Sequence, residues 1–184
     1  MPRILVVLLI LAMGAPTVQA QRPNTRQGFW ISFGLGAGSL GLGGDVSNSD
    51  RSTGLSGYFR LGGTVSQTVL LGAETNGWVR SENGISTTVG FVGPVAVFYP
   101  SSTGSFYIKT AVGLLTVDED ILTGSGFATS LGIGNDFRVG DNFSLVLFLN
   151  AITSFGVEAD VGGAGTGVNI DPNVAQLGLG VAWH

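Results

Sequence analysis

The sequence contains no cysteine, few charged residues and only one histidine. The absence of cysteine excludes disulfide frameworks and thiolate metal sites. Charged residues make up 11% of the 184 positions, whereas typical soluble domains carry about 25%. The net charge of -4 comes with no basic cluster, so we expect no nucleic-acid partner. A chain this poor in charge would have little with which to cover a water-facing surface.

The chain also lacks an apolar run long enough for a membrane-spanning helix, which needs about 20 residues. Its first 20 residues combine Arg3, an apolar stretch over 4–13 and the small-x-small end Val18-Gln19-Ala20. This pattern predicts a secretory signal peptide over residues 1–20. Residues 21–184 show no linker or shift in composition, which predicts one exported domain.

Strict alternation of apolar with small or polar residues is the main pattern in this domain. It begins at Phe29, Ile31 and Phe33, which alternate with Trp30, Ser32 and Gly34. A period of two gives separate faces only in an extended strand, and the pattern recurs about eight times. The prediction is an all-β, eight-stranded antiparallel up-and-down barrel with strands near 29–41, 55–65, 69–80, 85–99, 106–114, 130–138, 143–150 and 176–183.

The predicted connections differ in length between the two ends of the barrel. Those after strands two, four and six are short, whereas those after strands one, five and seven are long, including an acidic loop at 118–120 and a glycine-rich loop over about 152–172. Short periplasmic turns and longer external loops are typical of outer-membrane barrels. An aromatic girdle is expected at the short-turn end, formed by Phe29, Trp30, Tyr99, Phe106, Phe137, Phe143 and Trp183. By its position in the alternation, Trp30 is expected to point inward.

Such a sheet can close with its apolar face inward, as in a soluble lipocalin-like barrel, or outward against lipid. The charged residues Arg60, Glu74, Lys109, Asp136 and Arg138 fall on the face that carries glycine. An arginine or lysine facing lipid at the membrane midplane costs about 2–4 kcal/mol. The charges therefore favour a transmembrane barrel with Phe29, Ile31, Phe33 and Leu35 against lipid and with Ser32, Gly34 and Gly36 inside. The apolar series Val89, Phe91, Val95 and Val97 runs in step along the fourth strand.

Several segments resemble a known family, and the likeness covers nearly all of residues 21–184. They are Leu71-Gly72-Ala73-Glu74, Phe106-Tyr107-Ile108-Lys109, the run 126–134 and Gln176-Leu177-Gly178-Leu179-Gly180-Val181. Their order resembles the outer-membrane β-barrel domain of the OmpA/OmpX-like small barrels. This resemblance implies a monomer in the outer membrane of a Gram-negative-type bacterium, with outer-membrane lipid and the outer-membrane assembly machinery as partners.

The resemblance also implies an assembly signal in the last strand, carried by Leu177, Leu179, Val181 and Trp183. The family usually ends on an aromatic residue, whereas here His184 follows Trp183.

The charged inward residues form the candidate site. If Val65 lies opposite Val69 across a three-residue turn, the residue numbers of any two paired residues add up to 134. This places Arg60 opposite Glu74. We therefore expect an ion pair between them in the lumen, with Lys109, Asp136 and Arg138 at comparable heights. Such a polar network could fill the lumen as a plug, or it could form a gate or an ion path.

Other motifs carry less chemistry. The run from Gly36 to Gly41 matches the dinucleotide fingerprint but no helical pattern follows it. The acidic residues at 118–120 could bind calcium, yet they lack EF-hand spacing and fit a solvated loop better. His184 would lie at the periplasmic end, away from the outer leaflet on which lipid-modifying barrels act. No catalytic, cofactor or metal residues are therefore predicted.

The function predicted from the sequence is a non-enzymatic structural or surface protein that interacts through its external loops. A narrow pore for ions or small solutes is the alternative. A soluble binding barrel comes third.

Overall fold

The computed structural model describes residues 26–45 and 50–184, so the predicted signal peptide lies outside the described residues. Eight antiparallel strands form a closed barrel in which each strand pairs with the next and the last pairs with the first. No helix in the part of the chain that the structure describes is long and apolar enough to cross a membrane. The strands are β1 Phe29–Gly44, β2 Ser52–Ser66, β3 Val69–Glu82, β4 Ile85–Phe98, β5 Phe106–Glu119, β6 Leu122–Arg138, β7 Phe143–Val161 and β8 Ala164–Trp183.

The two faces of the barrel wall follow the alternation of the sequence. On β1, Phe29, Phe33 and Leu35 are exposed on the outside, whereas Trp30 and Ser32 are buried inside. Apolar side chains are also exposed on the outer surface of the other seven strands. The charged side chains of Arg60, Glu74 and Lys109 are buried in the lumen. The closure is therefore the one with its apolar face outward, and the soluble lipocalin-like alternative is wrong.

Strand β4 departs from this rule. Its apolar series Val89, Phe91, Val95 and Val97 points into the lumen and is almost completely buried. The outward positions of β4 include Val92, Pro94 and Phe98. Because both faces of this strand carry apolar residues, alternation alone does not say which face is inside. The lumen is consequently less polar than the sequence pattern predicts.

The two ends of the barrel differ in their connections. One end, which we call the turn rim, contains both ends of the described barrel and the connections 67–68, 99–105 and 139–142. The opposite end, which we call the hairpin end, contains the connections 45–51, 83–84, 120–121 and 162–163. At the hairpin end the last three connections are only two residues long.

Two predicted loops are in fact strands. The acidic segment 118–120 contributes Asp118 and Glu119 to β5, and most of the segment 152–172 forms the outer parts of β7 and β8. The prediction that connections five and seven are long loops is therefore wrong. Glycine lowers strand propensity, but backbone pairing across a hairpin compensates for it. Positive φ at Gly156 and Gly167 coincides with the irregular pairing of β7 with β8.

The aromatic residues of the turn rim divide between the two faces. Phe29, Phe106, Phe137 and Trp183 are exposed on the outside, as a girdle requires. Tyr99 instead points into the lumen, where only 3% of it is exposed, and Trp30 is buried as its position in the alternation predicts. The prediction that Tyr99 belongs to the girdle is wrong, because this residue continues the inward series of β4 beyond Val97.

Candidate functional site

The centre of the lumen contains a carboxylate shared by two cations. Glu74 on β3 accepts a hydrogen bond from the Arg60 guanidinium on β2 and another from the Lys109 ammonium on β5. Arg60, Glu74 and Lys109 are almost fully buried. A buried charge is tolerated only when it is paired and hydrogen-bonded. Glu74 meets that condition through both cations, and each cation meets it through Glu74.

Polar side chains from four further positions extend this arrangement around the lumen. The Lys109 ammonium donates to the Ser130 hydroxyl at 2.7 Å, and Arg60 Nη2 donates to Asn150 Oδ1 at 3.3 Å. Gln176 Nε2 donates to Asn76 Oδ1 at 2.7 Å, which links β8 back to β3. We call these seven residues the central cluster: Arg60, Glu74, Asn76, Lys109, Ser130, Asn150 and Gln176.

The strand register brings Arg60 and Glu74 together. They are direct partners across β2 and β3, and the body of this ladder follows the sum of 134. The turn differs from the three-residue turn that the sequence suggested, because Ser66 rather than Val65 pairs with Val69. A bulge between Thr64 and Ser66 takes up the extra residue. The register expected for Arg60 therefore arises from a shorter turn and one bulge.

Aromatic side chains pack against the central cluster. The Arg60 guanidinium lies over the Tyr58 ring at 3.8 Å from the centroid, a cation–π arrangement. The Tyr58 ring meets Phe148 edge-on, with 4.7 Å between centroids. The Tyr58 hydroxyl lies 3.0 Å from the Ser32 hydroxyl. Tyr58 and Phe148 are buried on the inward face, but nothing in the sequence pattern indicated that they would support Arg60.

Asp136 lies closer to the turn rim than the central cluster does. Its carboxylate accepts a hydrogen bond from the Tyr99 hydroxyl at 3.1 Å and lies 2.8 Å from His184 Nε2. The Arg26 guanidinium covers the Tyr99 ring at 3.4 Å and donates to the Gly104 carbonyl at 2.6 Å. We call Arg26, Tyr99, Asp136 and His184 the rim cluster. It joins the first described residue of the chain to its last residue.

Arg138 is also buried, but its guanidinium turns toward the connection 139–142. It donates to the carbonyl oxygens of Gly140 and Asp141. The five residues that the sequence grouped together thus occupy three settings along the lumen.

The space left inside the barrel is small. A cavity of about 20 Å³ lies between the two clusters and is lined by Arg60, Asp136 and His184, among others. That volume is close to the minimum for one water molecule. Farther toward the hairpin end, Trp78 is buried and donates its indole N–H to the Gly38 carbonyl at 3.0 Å. Side chains therefore occlude the lumen between the turn rim and Trp78.

Beyond Trp78 the barrel opens into a depression of about 620 Å³, which we call the cup. Its wall combines apolar residues such as Leu40, Val117 and Ile170 with charged residues nearer the mouth. The cup was not predicted from the sequence, because its lining is shared among residues of seven strands and two of their connections. Within residues 26–45 and 50–184, no group of three or more His, Asp or Glu side chains could hold a metal ion.

The last strand lies as the sequence pattern suggests. Leu177, Leu179 and Trp183 are exposed on the outside, and Val181 is half-buried. Trp183 pairs with Ile31 on β1 and with Phe143 on β7. His184 turns into the lumen instead of extending the strand. The role of this strand in assembly stays a prediction.

No family model matches the chain, and no curated protein matches it. Solved structures do. The structure of Neisserial surface protein A covers 87% of this chain and 99% of its own, with 11% identity and a TM-score of 0.61. The attachment invasion locus protein Ail of Yersinia pestis covers 85% and 99%, with 14% identity and a TM-score of 0.55. The fold is that of the small eight-stranded outer-membrane barrels.

A second structure of Ail, in complex with the heparin analogue sucrose octasulfate, matches with 13% identity and a TM-score of 0.50 and covers 85% of this chain and 99% of its own. At these identities the likeness concerns the fold, which confirms the predicted architecture of an eight-stranded antiparallel barrel.

Proposed function

We propose that this protein is a non-enzymatic barrel of the outer membrane of a Gram-negative-type bacterium, closed to solutes and acting through its hairpin end at the cell surface. The observation that carries the proposal is the closure of the lumen by the central cluster and Trp78, with the cup left open beyond them. A structural or surface-interaction role fits a barrel of this kind better than transport does.

The distribution of charge on the outer wall supports the membrane location. Within the described strands, charged residues on the outward face are Asp118, Glu158, Asp160 and Asp171, and all four lie at the hairpin end. The rest of the outward face is uncharged and rich in large apolar side chains. Such a band is what contact with lipid requires.

The charge of the hairpin end also limits the class of surface partner. Two guanidiniums, Arg51 and Arg80, lie there with nine carboxylates, from Asp45, Asp50, Glu82, Asp118, Glu119, Asp120, Glu158, Asp160 and Asp171. Ail was solved with a sulfated heparin analogue. A polyanion of that class would be repelled by the hairpin end of this chain, so the proposed partner is neutral or cationic.

Single-channel recording in planar bilayers tests the closure. We expect no steady conductance from the wild-type barrel. A variant that combines Arg60→Ser, Glu74→Ser, Lys109→Ser and Trp78→Ser removes much of the side-chain volume that closes the lumen and serves as the positive control, because it should conduct. Steady, large conductance from the wild type would overturn the proposal in favour of a narrow pore.

Single-cysteine labelling tests the orientation, and the absence of native cysteine makes it clean. Ala164 at the hairpin end and Thr103 at the turn rim are both exposed. In intact cells a membrane-impermeant maleimide should label Ala164→Cys. Thr103→Cys should react only after the outer membrane is permeabilised. The reverse pattern would place the hairpin end in the periplasm.

A further inference from the structure

The cup has the size and lining of a ligand site. Its volume of about 620 Å³ falls in the usual range for small-molecule pockets, about 300–1,000 Å³. Its wall includes Leu40, Leu42, Val89, Val117, Leu122 and Ile170. Of these, Val89 and Val117 are almost completely buried, so the lower part of the cup is apolar. Trp78 belongs to the same lining.

The mouth of the cup carries an excess of negative charge. Asp50, Glu82 and Glu119 line it together with a single cation, Arg80. Arg80 already pairs with Glu82 at 2.5 Å, and Glu119 accepts a hydrogen bond from the Thr87 hydroxyl at 2.7 Å. Carboxylates therefore outnumber cations among the described residues of this lining. A cationic group at the mouth would balance the excess charge.

The surroundings strengthen this preference. The acidic hairpin end encircles the cup, and a field of one sign around a cleft raises the local concentration of opposite charges. The apolar wall below the charged mouth then requires a second property of the ligand, namely an apolar portion that reaches toward Val89 and Val117.

From this arrangement we infer that the cup binds a small amphipathic cation, with its charged group beside Glu119 and its apolar tail against the wall above Trp78. The inference rests on the proposed surface role only for access from the cell exterior. Binding can be measured whether or not the lumen conducts, so failure of one proposal is distinguishable from failure of the other.

The test is titration of the full barrel in zwitterionic nanodiscs with hexyltrimethylammonium, followed by NMR on the Trp78 indole N–H. Empty nanodiscs measure how much of the probe enters the lipid. Hexanesulfonate has the tail with the opposite charge, and tetramethylammonium has the charge without the tail. We expect a saturable shift with hexyltrimethylammonium and affinities at least about tenfold weaker for the other two probes, since a factor of ten corresponds to only about 1.4 kcal/mol.

Two matched pairs of variants locate the site. Glu119 lines the cup and its neighbour Asp118 does not, so Glu119→Gln should weaken binding by up to about fivefold, the upper end for exposed ion pairs, and Asp118→Asn should weaken it less. Leu122 lines the cup and its neighbour Ile121 does not. Leu122→Asn should therefore weaken binding more than Ile121→Asn does.

Equal binding of hexanesulfonate would overturn the inference, and so would equal effects within both pairs of variants. Absence of any saturable shift at Trp78 would overturn it as well.

Discussion

Gly62 and Gly72 lie opposite each other across β2 and β3 on the inward face of the barrel, and neither has room for a methyl group. A Cβ on Gly62 would lie 2.0 Å from the Leu71 carbonyl oxygen and 2.6 Å from the Gly72 Cα. Both contacts are with backbone, which cannot rotate away. The two strands therefore approach each other so closely at this pair that only glycine fits there.

Gly62→Ala is expected to lower the free energy of unfolding by about 1–3 kcal/mol, the usual cost of overpacking. Gly63→Ala is the matched control, because a Cβ on Gly63 meets nothing within 4 Å, and it should change stability by less than about 0.5 kcal/mol. Urea unfolding in lipid vesicles measures both variants. Equal stability of the two variants would show that the barrel accommodates a methyl group at Gly62 without cost.

Glu74→Ala is expected to be among the most destabilising single substitutions in the lumen. It leaves two buried cations without their shared carboxylate, and breaking a buried pair costs about 3–5 kcal/mol. Lys109→Met should cost less, because the Arg60–Glu74 pair survives it. Glu82→Gln is the control, because it removes a carboxylate whose side chain is 61% exposed. Its free energy of unfolding should differ from that of the wild type by less than about 1 kcal/mol. Urea unfolding of the three variants is the measurement, and the midpoint should be lowest for Glu74→Ala and highest for Glu82→Gln.

His184→Ala should destabilise the turn rim. It removes the 2.8 Å contact between His184 Nε2 and the Asp136 carboxylate, and one hydrogen bond contributes about 1 kcal/mol. The backbone bond from His184 to the Asn142 carbonyl persists in this variant. Hydrogen exchange localises the effect: amides of the turn rim should exchange faster, while those around Trp78 should not. Uniform acceleration throughout the barrel would contradict a local role.

The two-residue turn at Asn83 and Gly84 gives a local test. Asn83 adopts φ 52°, a left-handed conformation that costs most residues about 1–2 kcal/mol. Asparagine tolerates it better than alanine does. Asn83→Ala should therefore lower the thermal midpoint, and Asn83→Gly should not. If both variants unfold like the wild type, the turn contributes nothing to stability.

Sequence alone predicted much of this fold, because the alternation of the two faces and the register between neighbouring strands are local properties of a meander. Residues on both sides of Arg60 and Glu74 specify which positions face inward, and the short turn sets the register between them. The orientation of β4 required more, since Val89 and Val92 are equally apolar and only the rest of the barrel decides between them. The outer halves of β7 and β8 were missed because backbone hydrogen bonds hold these glycine-rich segments together. Their side chains do not show the alternation of apolar and polar residues that predicts a strand.

The candidate site was predicted in part for the same reasons. Charges on an apolar sheet identified Arg60, Glu74 and Lys109 as inward residues. Which charges belong to the central cluster and which to the rim cluster depends on the positions of the side-chain tips along the lumen, and the sequence pattern does not specify these. Tyr58, Trp78 and Arg26 gave no signal of their roles. The cup depends on the strands of the hairpin end, so no single segment contains the information for it.

The central cluster links the evolution of this barrel to its permeability. Its members come from six of the eight strands, so the side chains that fill the lumen are also those that tie the wall together across its interior. A lineage could not convert this barrel into a channel by losing one charge at a time, because each loss would weaken the protein before the path opened. Conversion would first require stabilising substitutions elsewhere. Substitutions at the hairpin end that create new contacts would cost the barrel far less stability.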